Sequence, residues 1–226
     1  AVLGLAVMLS GGATPLSFAI AGLIALLTAY SYAKLSVAYP SRGGTVIFLD
    51  KAFGIDLLTG GLNNLLWISY IVTLSLYAVA FGNYAGTFFG GGEAGSWMSH
   101  ALISTGILLP AILNMTSASL ISKTETYVVF LKVAILTAVI GFGFTDLDMT
   151  RLSPHTWGDF ASIVGGGMMI FVAYEGFELI ANTAPDIVEY KKTLPRAYYV
   201  SVGFVIALYI LIAMVTVGAL SPDQIA

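Results

Sequence analysis

The sequence contains no cysteine and few charged residues. Without cysteine the chain cannot form a disulfide, a thiolate metal site or a cysteine nucleophile. Only 9% of its residues are charged, against about 25% in an ordinary soluble domain. The nine lysines and arginines form no basic patch, which argues against nucleic-acid binding. The histidines, His100 and His155, lack metal-ligand spacing, and no nucleophile–base constellation is present, so we expect no metal, no cofactor and no enzymatic activity.

Most of the remaining sequence is apolar. Hydrophobic residues make up 58% of the 226 residues, and the mean hydropathy is +0.92, which indicates an all-α integral membrane protein embedded in a lipid bilayer. Six runs are long enough to cross a hydrocarbon core of about 30 Å. They are continuously apolar, without the alternation of a barrel strand. The predicted spans are Thr14–Ala38, Leu57–Phe89, Trp97–Met115, Ser122–Phe144, Ala161–Ala184 and Arg196–Leu220.

A shorter apolar stub, residues 1–9, precedes Ser10-Gly11-Gly12. As a helix it would reach about 14 Å, roughly half of the hydrocarbon thickness. We therefore expect it to be the second half of a spanning helix, and the chain to be a fragment of a longer, transporter-sized protein.

The loop charges predict the orientation. Basic residues cluster after the first, third and fifth full spans, whereas the alternate loops hold Arg151 alone. Loops rich in lysine and arginine stay in the cytoplasm, so Ser10–Gly12, Gly90–Glu93 and Asp146–Asp159 should face outward. The cytoplasmic set is Lys34, Arg42, Lys51, Lys123, Lys191, Lys192 and Arg196.

Two carboxylates, Glu175 and Glu178, lie inside the fifth span. An ionised carboxylate at the bilayer centre costs roughly 2.5–3.5 kcal/mol, and Gly176 between them weakens a helix by about 1 kcal/mol. One interpretation is a helix that breaks near Ala173-Tyr174, where its last carbonyls would suit a cation or an ammonium group. The alternative is a continuous helix in which Gly176 allows close packing and both acids bond to neighbouring helices.

Lys132 lies at the middle of the fourth span, too deep to reach the interface easily. Glu125, seven residues away on the same helix, is about 10 Å distant along the axis and cannot pair with it directly. Burial disfavours the charged form of lysine, so Lys132 is either a proton carrier or half of a static ion pair with another helix.

Two sequence blocks resemble the amino acid–polyamine–organocation (APC) transporter superfamily. Residues 25–35 with Tyr39-Pro-x-x-Gly-Gly44 are similar to its second helix and following loop. Residues 171–178, followed by Lys191-Lys-Thr-Leu-Pro-Arg-Ala197, are similar to its sixth helix and the next loop. The resemblance implies an inverted-repeat (5+5) fold, of which this chain would hold the end of helix 1 through helix 7.

The resemblance also implies a function and a site. The expected function is secondary active transport of amino acids or related amines across the cytoplasmic membrane, coupled to protons. The substrate ammonium would face the carbonyls of Val172, Ala173 and Glu175. The expected substrate-binding residues are Val172, Ala173, Tyr174, Glu175 and Gly176.

In the family, a fifth-helix lysine like Lys132 occupies, in proton-coupled members, the place of a sodium ion in sodium-coupled relatives. We therefore expect Lys132 and Glu178 to take part in proton coupling. The competing interpretation is a non-transporting membrane subunit or sensor that uses the same fold for binding. Neither the oligomeric state nor the choice between symport and exchange can be read from the sequence.

Overall fold

A computed structural model describes residues 2–89, 96–116 and 118–220, with the backbone alone for 116 and 118–123. Regular structure in these ranges is helical. The α-helices are α1 (Val2–Ser10), α2 (Thr14–Ala38), α3 (Thr45–Phe53), α4 (Leu57–Phe88), α5 (Trp97–Thr116), α6 (Ala118–Gly143), α7 (Phe160–Ile170) and α8 (Tyr190–Ala219).

Six helical segments of the described ranges are long and apolar enough to cross a membrane. Five of them are α2, α4, α5, α8 and the C-terminal part of α6, and the sixth combines α7 with the irregular helix that follows it up to Asp186. The chain is therefore a multi-pass, all-α membrane protein. It forms two compact units, one made of residues 1–52 with 134–226 and the other of residues 53–133.

Helix α2 forms the centre of the first unit, where it packs against α7 and α8. Alanines recur at every fourth position on its buried face, and none is more than 1% exposed. Such small side chains let membrane helices approach closely. The stripe consists of Ala21, Ala25, Ala29 and Ala33.

A buried hydroxyl network joins α1, α2 and α7. Ser17 Oγ lies 2.8 Å from both Ser10 Oγ and the Ile163 carbonyl oxygen, and both serines are fully buried. Gly166 lies so close to the Ser10 hydroxyl that a side chain there would collide with it. The network fixes the position of α7 against the first two helices.

Contacts between loops agree with the predicted sidedness. Two segments predicted to face outward touch each other, since the Gly12 backbone N–H donates to the Thr156 carbonyl at 3.0 Å. On the predicted cytoplasmic side, Arg42 Nη2 lies 2.8 Å from Asp186 Oδ1. The predicted outward loop Gly90–Glu93 lies outside the described residues.

In the second unit, α4 packs against α5, with Gly82 directly against Ile103. Asp56 caps the first turn of α4 by accepting the Thr59 backbone N–H at 2.9 Å. That backbone bond holds the pKa of the Asp56 carboxyl below its usual value.

Candidate substrate site at an interrupted helix

Helix α7 begins with a defined cap. The Asp159 carboxylate accepts the Ser162 backbone N–H at 3.3 Å, a common way to satisfy the free donors of a first helical turn. Hydrogen bonds from the Ser162 side chain and backbone hold the pKa of the Asp159 carboxyl below its usual value. The negatively charged carboxylate lies beside the positive end of the helix dipole, which is a favourable interaction.

The helix does not continue through the span. After Ile170 the chain tightens into a 3₁₀ turn, Phe171–Tyr174, and Glu175 is extended with ψ of 146°. Gly176 has φ of +117°, in the region that favours glycine because it has no Cβ atom. A second 3₁₀ segment, Phe177–Asp186, then completes the span. The predicted interruption is confirmed, and a continuous helix with Gly176 as a packing residue is excluded.

Side chains satisfy backbone groups that the interruption would leave without helical partners. The Gly176 N–H donates to Glu178 Oε2 at 2.7 Å, so this carboxylate caps the second helical segment. The Tyr209 hydroxyl of α8 donates to the Ala173 carbonyl at 3.2 Å. Backbone polar groups inside a membrane need such partners or a cavity to line.

Tyr174 anchors the interruption to the core. The residue is only 4% exposed, and its hydroxyl donates to the Phe18 carbonyl of α2 at 3.1 Å. The ring centroid of Tyr209 lies 5.2 Å from that of Tyr174 and 5.8 Å from that of Phe18. These aromatic contacts fix the end of the first 3₁₀ turn against two helices.

A cavity of about 260 Å³ adjoins the interruption. Its polar groups come from the interrupted segment, with the half-buried Glu175, and from Tyr209 and Ser201 on α8; the other lining residues are apolar. None of the lining residues is basic, so the cavity favours a positively charged group. The complete lining is Ala173, Tyr174, Glu175, Gly176, Phe177, Ile180, Ser201, Val202, Val205 and Tyr209.

The structure brings most of the predicted substrate residues together. Ala173, Tyr174, Glu175 and Gly176 line this cavity, whereas Val172 is 40% exposed and is not among the lining residues. Sequence reasoning missed the contribution of α8, above all Tyr209. A tyrosine in an apolar helix is ordinarily assigned to packing, and no local pattern identifies its partner 36 residues earlier.

Lys132 lies in the second unit and lines a different cavity, of about 520 Å³, between α5 and α6. Glu125, Thr124 and Asn114 line the same cavity. Among the described residues, Lys132 has no ion-pair partner within 4.0 Å.

Comparison with known proteins identifies the family. The model of the family described as amino acid permease matches residues 2–226. The chain belongs to the amino acid permease family. The resemblance to the APC superfamily, drawn from two sequence blocks, is therefore confirmed.

Similar proteins occur in archaea, bacteria and plants. An uncharacterised protein of Methanocaldococcus jannaschii is 30% identical over 99% of the chain and 52% of its own length. The inner membrane transport protein YbaT of Escherichia coli is 31% identical over 98% and 51%. The chloroplastic cationic amino acid transporter 9 of Arabidopsis thaliana is 27% identical over 92% and 40%. The chain thus spans about half the length, or less, of these relatives.

Proposed function

We propose that the protein carries out secondary active transport of amino acids or related amines across the cytoplasmic membrane, driven by protons. The supporting observation is that an interrupted membrane helix places Ala173, at the end of its first half, and the acidic residue Glu175 in the lining of one cavity. Discontinuous helices near the bilayer midplane are where many secondary transporters bind substrates. The protein would be a carrier and not an enzyme.

The chemistry of the cavity favours a protonated amine. The C-terminal end of α7 carries the negative end of the helix dipole, and the Glu175 carboxylate adds a negative charge to a lining without basic residues. An ammonium group can donate three hydrogen bonds to such oxygens. The Arabidopsis relative is named as a cationic amino acid transporter, which agrees with a cationic substrate.

Alternating access would be organised around the interruption. Gly176, at φ of +117°, separates α7 from the 3₁₀ segment Phe177–Asp186, so the two halves can change angle without breaking a continuous helical ladder. Each half is tied to other elements, α7 through the serine network and Asp186 through Arg42. Rocking of one group of helices against another around a fixed midplane site is the established pattern for such folds.

We assign proton coupling to Glu178 and Lys132. The Glu178 carboxylate accepts the Gly176 N–H at 2.7 Å, and protonation would replace this charge-assisted bond with a weaker one. The protonation state of Glu178 would therefore change the geometry of the interruption. Lys132, without an ion-pair partner among the described residues, would supply a second titrating group in the other unit.

Uptake measurements test the proposal. We expect the full-length protein in proteoliposomes to accumulate radiolabelled L-arginine, L-lysine or a neutral amino acid, and to accumulate more when the outside is acidic. Binding of these compounds without uptake would instead support the sensor or subunit function. If the protein neither binds nor takes up any of these compounds, the proposal is overturned.

Glu175→Gln should change substrate selectivity. The amide keeps the size of the side chain and an acceptor oxygen but removes the charge. We therefore expect a KM for L-arginine about five- to tenfold higher, because a charge-assisted hydrogen bond becomes a neutral one at a cost of about 1–1.4 kcal/mol, with little change for neutral amino acids. The measurement is the ratio of KM values for cationic and neutral substrates. The control is Glu189→Gln, which changes an exposed acid outside the cavity. An unchanged ratio of KM values in Glu175→Gln would show that Glu175 has a structural role only.

A further inference from the structure

Tyr209 occupies an unusual place beside the interruption. Its hydroxyl donates to the Ala173 carbonyl at 3.2 Å, and both residues line the 260 Å³ cavity. Both residues also line a second, apolar cavity of about 230 Å³, together with Phe18 and Leu136. Tyr209 and Ala173 therefore line two cavities, of which the first is also lined by the acidic residue Glu175 and the second by apolar side chains.

The hydroxyl replaces a missing backbone donor. In a continuing helix the Ala173 carbonyl would accept from the N–H of residue 176 or 177. The Gly176 N–H instead donates to Glu178, because the chain turns at Glu175 and Gly176. The Tyr209 side chain thus supplies to Ala173 a hydrogen bond that the backbone no longer provides.

The tyrosine ring cannot easily move away from this carbonyl. Its edge-to-face contact with Phe18 and its tilted contact with Tyr174 hold it on two sides, and aromatic pairs of this geometry are favourable beyond the area that they bury. The hydroxyl is therefore a preorganised donor that persists when a ligand is bound. Since a peptide carbonyl has two acceptor positions, one bond from Tyr209 leaves a second position for a ligand donor.

We propose that Tyr209 is a positioning residue of the amine site: it orients the Ala173 carbonyl so that the second acceptor position of the oxygen binds the α-ammonium group of an amino acid. This inference rests on the proposed function. It adds Tyr209 to the site and assigns to it an effect on binding of the α-ammonium group. Tyr209 acts through Ala173 and does not itself need to touch the amine.

The test compares a substrate with its analogue that lacks the α-amino group. In full-length Tyr209→Phe protein in proteoliposomes, the ring contacts remain and only the hydroxyl is lost. We expect the KM for L-arginine to rise about three- to tenfold, the effect of one hydrogen bond, while Vmax changes by less than about twofold. The inhibition constant of 5-guanidinopentanoic acid, which has no α-amino group, should stay within about twofold of wild type.

The control is Tyr199→Phe, a partly exposed tyrosine on the same helix that does not line the cavity, and it should keep the wild-type KM for L-arginine. Equal losses for arginine and its analogue in Tyr209→Phe, or a lower Vmax with an unchanged KM, would overturn the positioning role. Wild-type protein that neither binds nor transports an amine would overturn the proposed function together with this inference. Wild-type uptake with an unchanged KM in Tyr209→Phe would overturn the inference alone.

Discussion

Replacing Gly176 with alanine should reduce amine uptake by about 5- to 150-fold. Gly176 has φ of +117°, and a residue with a Cβ atom is strained there by roughly 1–3 kcal/mol, which is the free energy that corresponds to this range of population change. Apart from Gly176 and its two chain neighbours, no atom of the described residues lies within 4 Å of the position that a Cβ would occupy, so the cost comes from the backbone and not from a collision. The alanine variant should shift the segment toward a straighter helix and reduce the population of the interrupted form.

Gly165→Ala is a matched control for this experiment. Gly165 lies in α7, and a Cβ there would likewise meet no atom of the other helices within 4 Å in the described part of the chain, but its φ is not positive. Alanine there should leave the initial rate of uptake, measured at equal protein content in proteoliposomes, near the wild-type value. Equal rates in Gly176→Ala and the control would show that the left-handed conformation at Gly176 is not needed for transport.

Lys132→Ala should abolish the accumulation of substrate driven by a pH gradient while leaving membrane insertion intact. Lys132 is the basic side chain at the middle of the fourth predicted span, and alanine can neither carry a proton nor form an ion pair. We expect the accumulation ratio to become independent of the imposed gradient, with residual uptake only down the substrate gradient.

The matched control is Lys51→Ala, a lysine at the end of α3 outside the six spans, which should accumulate substrate as wild type does. The measurement is radiolabelled amino-acid uptake at several imposed pH gradients, normalised to the amount of inserted protein. Unchanged gradient dependence in Lys132→Ala would remove Lys132 from the coupling mechanism.

The membrane class and the interruption could be predicted from the sequence because both depend on local chemistry. Long apolar runs need no tertiary information to be assigned as spans. The segment Glu175-Gly176-Phe177-Glu178 places two acidic side chains and a weak helix former inside a membrane span, where each is costly. The backbone angles at Gly176 agree with that reasoning.

The partners of the interruption could not be predicted in the same way. Tyr209 reaches Ala173 only because α8 packs against α2 and the interrupted segment in one particular register, and an amphipathic pattern does not reveal that register in a helix that is apolar on all sides. The capping role of Glu178 was also missed. It depends on the N–H of Gly176 being released from the helix, which follows from the exact turn and not from the presence of an acid.

The placement of Lys132 shows a third kind of difficulty. Its depth in the span is evident from its position, but the groups near it come from two helices, α5 and α6, whose packing the sequence does not reveal. The position of a charged residue in the sequence can therefore show that its place in the membrane is unusual without showing which groups surround it.

The most direct test of the account is a cryo-electron microscopy map of the full-length protein with a transported amine bound. We predict that the amine nitrogen lies at hydrogen-bond distance, about 3 Å, from the carbonyl oxygen of Ala173 or of a neighbour within residues 172–175, with the helix still interrupted at Gly176. An unbroken helix through Gly176, or an amine bound away from these peptide oxygens, would contradict it.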